Sequence, residues 1–269
     1  MTAAPGAALG PQPCVVVHVS RERAKAFVRG IFSRRHGRIL AVRDGDECAR
    51  TLRTTLIDMV LVDAGAPTES MWEIVSLARE FPSTPFVALA PLRAADGPTL
   101  ARCVALDFVD VLVEGVDDSA ARELITPYFF STRFTNALET PSPRLAFSTE
   151  VQRETWRRIV AHTGRAVRTE QLASGLGVTR EHLSRRFASG GAPNLKRVID
   201  LVRLIAAAEL AKNPGYDMRD VSAVLGFASS SHLSSTAQRV VGTKPSSLSA
   251  LRTVDLIERF AHGRGRSRS

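Results

Sequence analysis

The chain has 269 residues, of which 44% are hydrophobic and 23% charged, and its 36 Lys and Arg outnumber its 27 Asp and Glu to give a formal charge of +9. This length corresponds to one or two domains, and the composition excludes a disordered chain and an integral membrane protein. Met1–Pro13 is rich in Ala, Gly and Pro and lacks the basic segment and apolar run of a secretion signal. The three cysteines, Cys14, Cys48 and Cys103, are far apart and lack metal-ligand spacing, as expected of buried thiols in a reducing cytoplasm.

The positive charge is concentrated in the second half of the chain. Residues 1–133 contain 15 basic and 16 acidic residues, a net charge of −1, whereas residues 134–269 contain 21 and 11, a net charge of +10. This asymmetry favours a nucleic-acid partner for the second half and a different task for the first. A basic, solvated surface without a partner would give the same numbers, so charge alone leaves both interpretations open.

Residues 13–133 alternate short apolar runs with stretches of helical spacing. The predicted strands are Cys14–Val19, Arg38–Val42, Ile57–Asp63, Thr84–Ala90 and Phe108–Val113. The predicted helices are Arg21–Arg35, Gly45–Thr54, Glu69–Glu80, Pro98–Leu106 and Ser119–Thr132. Five such units, with strands of nearly continuous Val, Ile and Leu, predict an α/β fold with a doubly wound parallel five-stranded sheet covered on both faces.

The order of these elements, with Asp63 at the end of the third strand, resembles a response-regulator receiver domain over about residues 13–133. The resemblance implies a phosphoacceptor at Asp63, an acidic pair after the first strand that binds Mg²⁺, a hydroxyl residue ending the fourth strand, and a lysine after the fifth. Here these last three places are held by His18–Ser20, Ala90 and Glu114. We therefore expect a degenerate receiver that is not phosphorylated, in which Asp63 caps the next loop.

The resemblance leaves three roles open for this domain: dimerisation, binding of a small effector, or docking of another protein. Receivers commonly dimerise through the fourth helix, fifth strand and fifth helix, which correspond here to Leu100–Thr132. The large apolar residues of this segment are Leu106, Phe108, Val111, Leu124, Ile125, Tyr128 and Phe129. Most of them are expected in the core, and the sequence does not distinguish the exposed ones.

Two prolines within Asn136–Pro143 predict a linker at 134–149, followed by a second domain at 150–252 and a basic tail at 253–269. In the second domain, Thr169–Phe187 has a small residue, Ala173, four positions before Gly177, with apolar residues on one side and polar residues along the second helix. The residues expected to face inward are Leu172, Leu176, Val178 and Leu183. This arrangement is the helix-turn-helix pattern.

The pattern recurs at Met218–Val240, and a long apolar helix at Leu195–Ala211 connects the two units. Four motifs accompany it: L-x-R-x-F at Leu183–Phe187, R-L-x-x-A at Arg203–Ala207, G-F at Gly226–Phe227 and G-T-x-P at Gly242–Pro245. These motifs resemble the DNA-binding domain of the AraC/XylS family over about Glu150–Arg252. The resemblance implies an all-α double helix-turn-helix domain with two recognition helices about 34 Å apart along one face of double-stranded DNA.

The residues expected to contact DNA lie on the second helix of each unit. They are Thr179, Arg180, Glu181, Ser184, Arg185 and Arg186 in the first unit, and Ser229, Ser230, Ser231, Ser234 and Arg239 in the second. The second unit departs from the family at Ser235, Ala237 and His232, where an arginine, a phenylalanine and an aromatic residue are usual. Loss of the ring at Ala237 should cost about 2–4 kcal/mol unless neighbours fill the space, so we expect this unit to bind DNA more weakly.

Together these features predict a cytoplasmic, sequence-specific transcription regulator without catalytic residues, metal or cofactor. A second copy of the chain, through the first domain, and RNA polymerase are further candidate partners. Two alternatives stay open: a response regulator phosphorylated at Asp63, and a protein-interaction adaptor whose DNA binding has decayed. An enzyme is disfavoured, because the sequence has no Gly-rich phosphate loop, nucleophile elbow or metal cluster. Gly263–Ser269 is expected either to add phosphate contacts or to be a solvated terminus.

Overall fold

A computed structural model describes residues 10–32 and 36–263 of the chain, which form two compact units. One unit comprises residues 12–133 together with 213–216, and the other comprises 10–11, 134–212 and 217–263. This division marks no separate linker, so the predicted bounds of the linker at 134–149 stay a prediction.

The first unit contains a five-stranded, wholly parallel sheet. Its strands are β1 Cys14–His18, β2 Arg38–Ala41, β3 Met59–Asp63, β4 Phe86–Ala90 and β5 Asp110–Val113. They pair in the order β2-β1-β3-β4-β5. Every residue of β3 and β4 is buried, as expected of central strands with both faces covered. The predicted doubly wound five-stranded sheet is confirmed.

The helices of this unit follow the strands in turn. They are α1 Glu22–Ile31, α2 Gly45–Thr54, α3 Glu69–Ser76, α4 Gly97–Ala105 and α5 Ala121–Ile125. α1 ends earlier than the predicted Arg35, and residues 33–35 lie outside the described part of the chain. Val28 of α1 and Ile125 of α5 pack against Val15, Leu61 and Leu89 on one face of the sheet.

The three cysteines are free and buried. Burial raises the pKa of Cys48 to about 12 and that of Cys103 to about 11. Both thiols therefore stay protonated near neutral pH, and a protonated thiol is a poor nucleophile.

The single helix predicted at Ser119–Thr132 is wrong. After α5 the chain makes a short 3₁₀ turn at Thr126–Tyr128, becomes extended at Phe129, and starts a new helix, α6 Phe130–Ala137. Pro127 lacks the backbone N–H that would continue the helix. The buried Asp58 carboxylate accepts hydrogen bonds from the backbone N–H of Ser131 (2.9 Å) and Cys14 (2.8 Å), and so caps α6.

The second unit is all-helical. Its helices are α7 Glu150–Ala161, α8 Thr169–Gly175, α9 Arg180–Phe187, α10 Leu195–Leu210, α11 Met218–Val224, α12 Ser230–Val241 and α13 Thr253–His262. α10 packs against α7, α11, α12 and α13 and is buried on nearly all sides, which explains why its sequence is apolar all round. The predicted helical domain with two helix-turn-helix units is confirmed.

The basic tail predicted at 253–269 begins instead with the ordered helix α13. Leu256, Ile257 and Phe260 form a buried stripe at helical spacing, and the guanidinium of Arg197 from α10 lies 5.0 Å from the centre of the Phe260 ring. Residues 264–269, where most of the tail's charge lies, are outside the described residues. Among the described helices, none has both the length and the apolarity needed to span a bilayer.

Candidate nucleic-acid interface and receiver site

The two helix-turn-helix units are built around turns of the same geometry. Gly177 between α8 and α9 has φ 66°, and Gly226 between α11 and α12 has φ 65°, a left-handed conformation that favours glycine. In the first turn the N–H of Val178 donates to the carbonyl of Ala173 (3.0 Å), and in the second that of Phe227 donates to Ser222 (2.8 Å). Each turn therefore closes with the same hydrogen bond, five residues back.

The first recognition helix, α9, presents most of its predicted DNA contacts to solvent. Thr179 caps the helix, with its hydroxyl accepting from the N–H of His182 at 3.2 Å. Among the predicted contacts, Thr179, Arg180, Glu181, Arg185 and Arg186 are exposed and Ser184 is half-buried. Arg180 pairs with Glu170 at 3.0 Å, but both side chains are more than half exposed, so water screens the pair. Within the described residues, neither Arg185 nor Arg186 forms an ion pair.

The second recognition helix, α12, presents serines at its N-terminal end. Ser229 caps the helix by accepting from the N–H of His232 at 3.1 Å. Ser229 and Ser231 are exposed, whereas Ser230 and Ser234 are half-buried. The His232 ring packs edge-on against Phe227, with ring centres 5.7 Å apart, so it supplies a ring contact where the family usually has an aromatic residue.

Arg239, near the C-terminal end of α12, has a partner inside the protein. Its Nη2 donates to Oδ2 of Asp200 on α10 at 2.9 Å. The Asp200 side chain is 10% exposed, and that of Arg239 is 52% exposed. Arg239, which the sequence predicts to contact DNA, therefore also links the second recognition helix to the central helix, and the DNA contact stays a prediction.

In the first helix-turn-helix unit, uncharged contacts hold the C-terminal end of α9. The fully buried Gln152 of α7 donates from Nε2 to the carbonyls of Phe187 (2.8 Å) and Ser189 (3.0 Å). The Phe187 ring lies 5.3 Å from that of Phe147. In the second unit, the residue at the same distance from its helix cap is Ala237, which is fully buried.

The carboxyl edge of the sheet in the first unit carries an ion cluster. Arg21, just after β1, donates from Nε to Oδ1 of Asp63 at the end of β3 (2.9 Å) and from Nη1 to Oε2 of Glu114, just after β5 (3.2 Å). The Asp63 carboxylate also accepts from the backbone N–H groups of Arg21 and Gly65, each at 3.2 Å. Both acidic side chains are 1% exposed and Arg21 is 22% exposed.

The electrostatics of this cluster keep Arg21 charged. Burial opposes the charged guanidinium, but hydrogen bonds to Asp63 and Glu114 and their negative charges outweigh it and raise the pKa of Arg21. The receiver resemblance implies acidic oxygens for Mg²⁺ after β1, but the side chain that follows β1 and binds Asp63 and Glu114 is the cationic Arg21. The residues present therefore do not fit the ion, and the described part of the chain holds no group of three or more His, Cys, Asp or Glu suited to a metal.

Comparison with known proteins identifies the helical region. Residues 172–250 match a family model described as a helix-turn-helix domain. No match among curated proteins was found. The C-terminal part of the chain therefore contains an AraC-type helix-turn-helix domain, the class of domain found in DNA-binding regulators.

Several solved structures are similar to the chain. A response regulator from Thermotoga maritima is 21% identical, covering 44% of this chain and 98% of its own, with a TM-score of 0.37. Full-length FixJ from B. japonicum is 11% identical, with coverages of 70% and 94% and a TM-score of 0.37. A response regulator protein from Burkholderia pseudomallei, crystallised with a phosphorylated aspartic acid, calcium ion and citrate, is 18% identical, with coverages of 66% and 100% and a TM-score of 0.34. The N-terminal part of the chain has a five-stranded parallel sheet in the order β2-β1-β3-β4-β5.

Sequence reasoning found Asp63 and Glu114 but missed Arg21 and Gln152. Arg21 directly follows His18–Ser20, the segment where the receiver resemblance implies an acidic pair. A basic residue at this place could have predicted an ion pair with Asp63. Gln152 had the signal of a capping box with Thr149, which it forms, but its contacts with Phe187 and Ser189 depend on tertiary packing.

Proposed function

We propose that the protein is a sequence-specific transcription regulator that binds double-stranded DNA through both helix-turn-helix units and has no enzymatic activity. The observation that carries this proposal is the pair of capped recognition helices, α9 and α12, that follow turns of identical geometry. The exposed arginines of α9 are suited to grip guanine or phosphate, and the serines of α12 discriminate bases weakly. We therefore expect the first unit to dominate recognition.

The test is selection of a binding site from randomised duplex DNA, followed by fluorescence anisotropy with the selected site and a scrambled one. Preference for the selected site by about a thousandfold or more is expected of a specific regulator. If both DNAs bind equally and only at low salt, the basic surface is non-specific. If neither binds, the adaptor alternative replaces the regulator.

We further propose that the receiver-like domain is not phosphorylated. Two features support this: the segment after β1 carries the Arg21 guanidinium and no acidic pair, and the buried carboxylate of Asp63 already accepts hydrogen bonds on both oxygens. Glu114, in the place of the lysine, would also repel an incoming phosphate. Incubation with labelled acetyl phosphate and Mg²⁺ should leave the protein unlabelled. Label that disappears in Asp63→Asn would establish the response-regulator alternative instead.

Dimerisation through the first domain also belongs to the proposal. Within Leu100–Thr132, Phe108, Ile125 and Phe129 are buried, whereas Val104, Val109 and Leu124 are exposed apolar residues. Such residues favour a contact with a second copy. Sedimentation equilibrium should show a dimer that Val104→Glu weakens; a monomer at all concentrations would exclude this role. RNA polymerase as a partner and a cytoplasmic location, consistent with three free cysteines, remain parts of the proposal.

A further inference from the structure

The central helix α10 directs two charged side chains at the second helix-turn-helix unit. Asp200 and Arg203 lie three residues apart and are only 7% and 8% exposed. Arg203 donates from Nη2 to the carbonyls of Leu225 (3.2 Å) and Gly226 (3.1 Å), and its guanidinium carbon lies 3.7 Å from the centre of the Phe227 ring. Asp200 accepts from Arg239 at 2.9 Å.

These contacts fall in the turn before α12 and in the last turn of α12. Leu225 to Phe227 form the turn that leads into the helix, whereas Arg239 lies in its last turn. The carbonyls at the end of α11 have no partners within that helix, and Arg203 supplies charged donors for them. Contacts from one helix to the preceding turn and to the last turn of α12 together restrain the direction of α12.

The second helix-turn-helix unit lacks an aromatic contact that the first one has. In the first helix-turn-helix unit, the Phe187 ring and the neutral Gln152 hold the C-terminal end of α9. The corresponding residue in the second unit is Ala237, which has no ring to pack. Charged hydrogen bonds from α10 supply the orientation that an aromatic contact supplies in the first unit.

We propose that Asp200, Arg203 and Arg239 form a charged brace that orients the second recognition helix, and that Arg239 is a positioning residue and not a phosphate contact. This inference rests on the proposed DNA-binding function. It assigns to Arg239 a role different from the DNA contact expected from its place on the recognition helix. The two roles differ in a measurable sign.

The deciding variant is Asp200→Asn. If Arg239 contacted phosphate, removing the competing carboxylate would free its guanidinium and strengthen DNA binding. If the brace orients α12, the same change misaligns the helix and lowers affinity for the selected site about tenfold, as expected when one base-contacting element loses register. Asp255→Asn is the matched control, because it also removes a carboxylate paired with an arginine, here at the N-terminal end of α13.

The measurement is anisotropy on the selected site and on two derivatives, each with one half-site scrambled. The loss in Asp200→Asn should persist when the first half-site is scrambled and vanish when the second is. Arg239→Gln should behave like Asp200→Asn, and the double variant should be no worse than either single one. Additive effects, or a gain in affinity with Asp200→Asn, would overturn the brace.

Two further readouts use Arg239→Gln, so they do not depend on whether the protein folds normally with the buried Asp200→Asn substitution. In Arg239→Gln, loss of a phosphate contact would reduce the slope of log affinity against log salt by about 0.9, whereas loss of the brace leaves the slope unchanged. Without DNA, hydrogen exchange in Arg239→Gln should increase in Ser230–Val241 and not in Arg180–Phe187. Unchanged hydrogen exchange in α12 would refute the brace, whether or not the protein binds DNA. Failure of the wild-type protein to bind specific DNA would refute the proposed function, and this is a separate result.

Discussion

Arg21, Asp63 and Glu114 exchange the charges of a receiver site. A receiver places acids after the first strand and a base after the fifth, whereas this chain places Arg21 after β1 and Glu114 after β5. The Arg21 guanidinium hydrogen-bonds both buried carboxylates, and the mostly exposed Arg23 lies 3.8 Å from Glu114. The carboxyl edge of this sheet is therefore organised as a structural ion cluster.

Replacement of Arg21 tests how strongly this cluster stabilises the compact unit that contains the parallel sheet. Arg21→Met leaves the buried Asp63 carboxylate without a cation and leaves Glu114 with only the mostly exposed Arg23, 3.8 Å away. We expect about 3 kcal/mol of lost stability, the low end for a broken buried pair because Arg21 is 22% exposed. Urea unfolding can be followed by Trp72 fluorescence in a Trp156→Phe background. Adding Glu114→Gln should restore part of the loss, whereas an unchanged unfolding midpoint for Arg21→Met would show that the cluster contributes nothing.

Arg185 is the α9 residue on which recognition should depend most. It is exposed and forms no ion pair among the described residues, so its guanidinium is available for a bidentate contact with a base. Arg185→Ala should weaken binding to the selected site by about 1–3 kcal/mol and relax base preference at one position. Arg122→Ala, which removes an exposed helical arginine from the first unit, is the control. Equal affinity of Arg185→Ala and wild type, with folding intact, would exclude this assignment of the recognition helix.

At the scale of elements, the hydrogen bonds of Gln152 fix the C-terminal end of α9 against α7. Its Oε1 accepts from the N–H groups of Ser148 and Thr149 while its Nε2 donates to Phe187 and Ser189, so all four hydrogen-bonding positions of the amide are used. Gln152→Glu keeps the acceptors but loses the donors, and should cost about 1–3 kcal/mol for each carbonyl left unsatisfied. Thermal unfolding measures this; a loss below that of the exposed control Gln171→Glu would contradict this role of Gln152.

The turns at Gly177 and Gly226 should resist substitution for a backbone reason. A Cβ at either glycine meets open space or ordinary contact, so the cost of alanine is the left-handed φ itself, about 1–2 kcal/mol. Gly30 in α1 is the matched control, because it is also open but has an ordinary helical φ, and alanine there should stabilise by about 0.5–1 kcal/mol. Chemical unfolding of the three variants compares them. A neutral Gly177→Ala would mean that the turn relaxes.

For the whole molecule, the uneven charge makes DNA affinity salt-dependent. The excess of +10 lies in residues 134–269, and each phosphate neutralised adds about −0.9 to the slope of log affinity against log salt. With one phosphate contact for each recognition helix, affinity should fall at least about tenfold between roughly 50 and 200 mM salt. Anisotropy titrations across this range measure the slope. A slope near zero would show that the positive charge plays no part in binding.

Local sequence was sufficient for the five strands and for the two helix-turn-helix units, but not for α6 or α13. Buried strands such as Met59–Asp63 are nearly continuous in Val and Leu, and each helix-turn-helix turn requires its glycine at a fixed distance from a small residue. Such signals lie within a few residues of one another, because hydrophobic periodicity and left-handed turns are local properties.

Only the tertiary structure decided which charged residues meet. Arg21 and Glu114 are 93 residues apart, and Asp200 and Arg239 are 39 apart, so neither pair has a local pattern. The same holds for α6, whose start depends on Asp58, 73 residues earlier than Ser131. A side chain's charge is written in the sequence, but its partner depends on how parallel strands and packed helices bring distant positions together. The sequence by itself therefore determined the parallel sheet and the two helix-turn-helix units, and the packing decided that Arg21 pairs with Asp63 and Glu114 and that Arg239 pairs with Asp200.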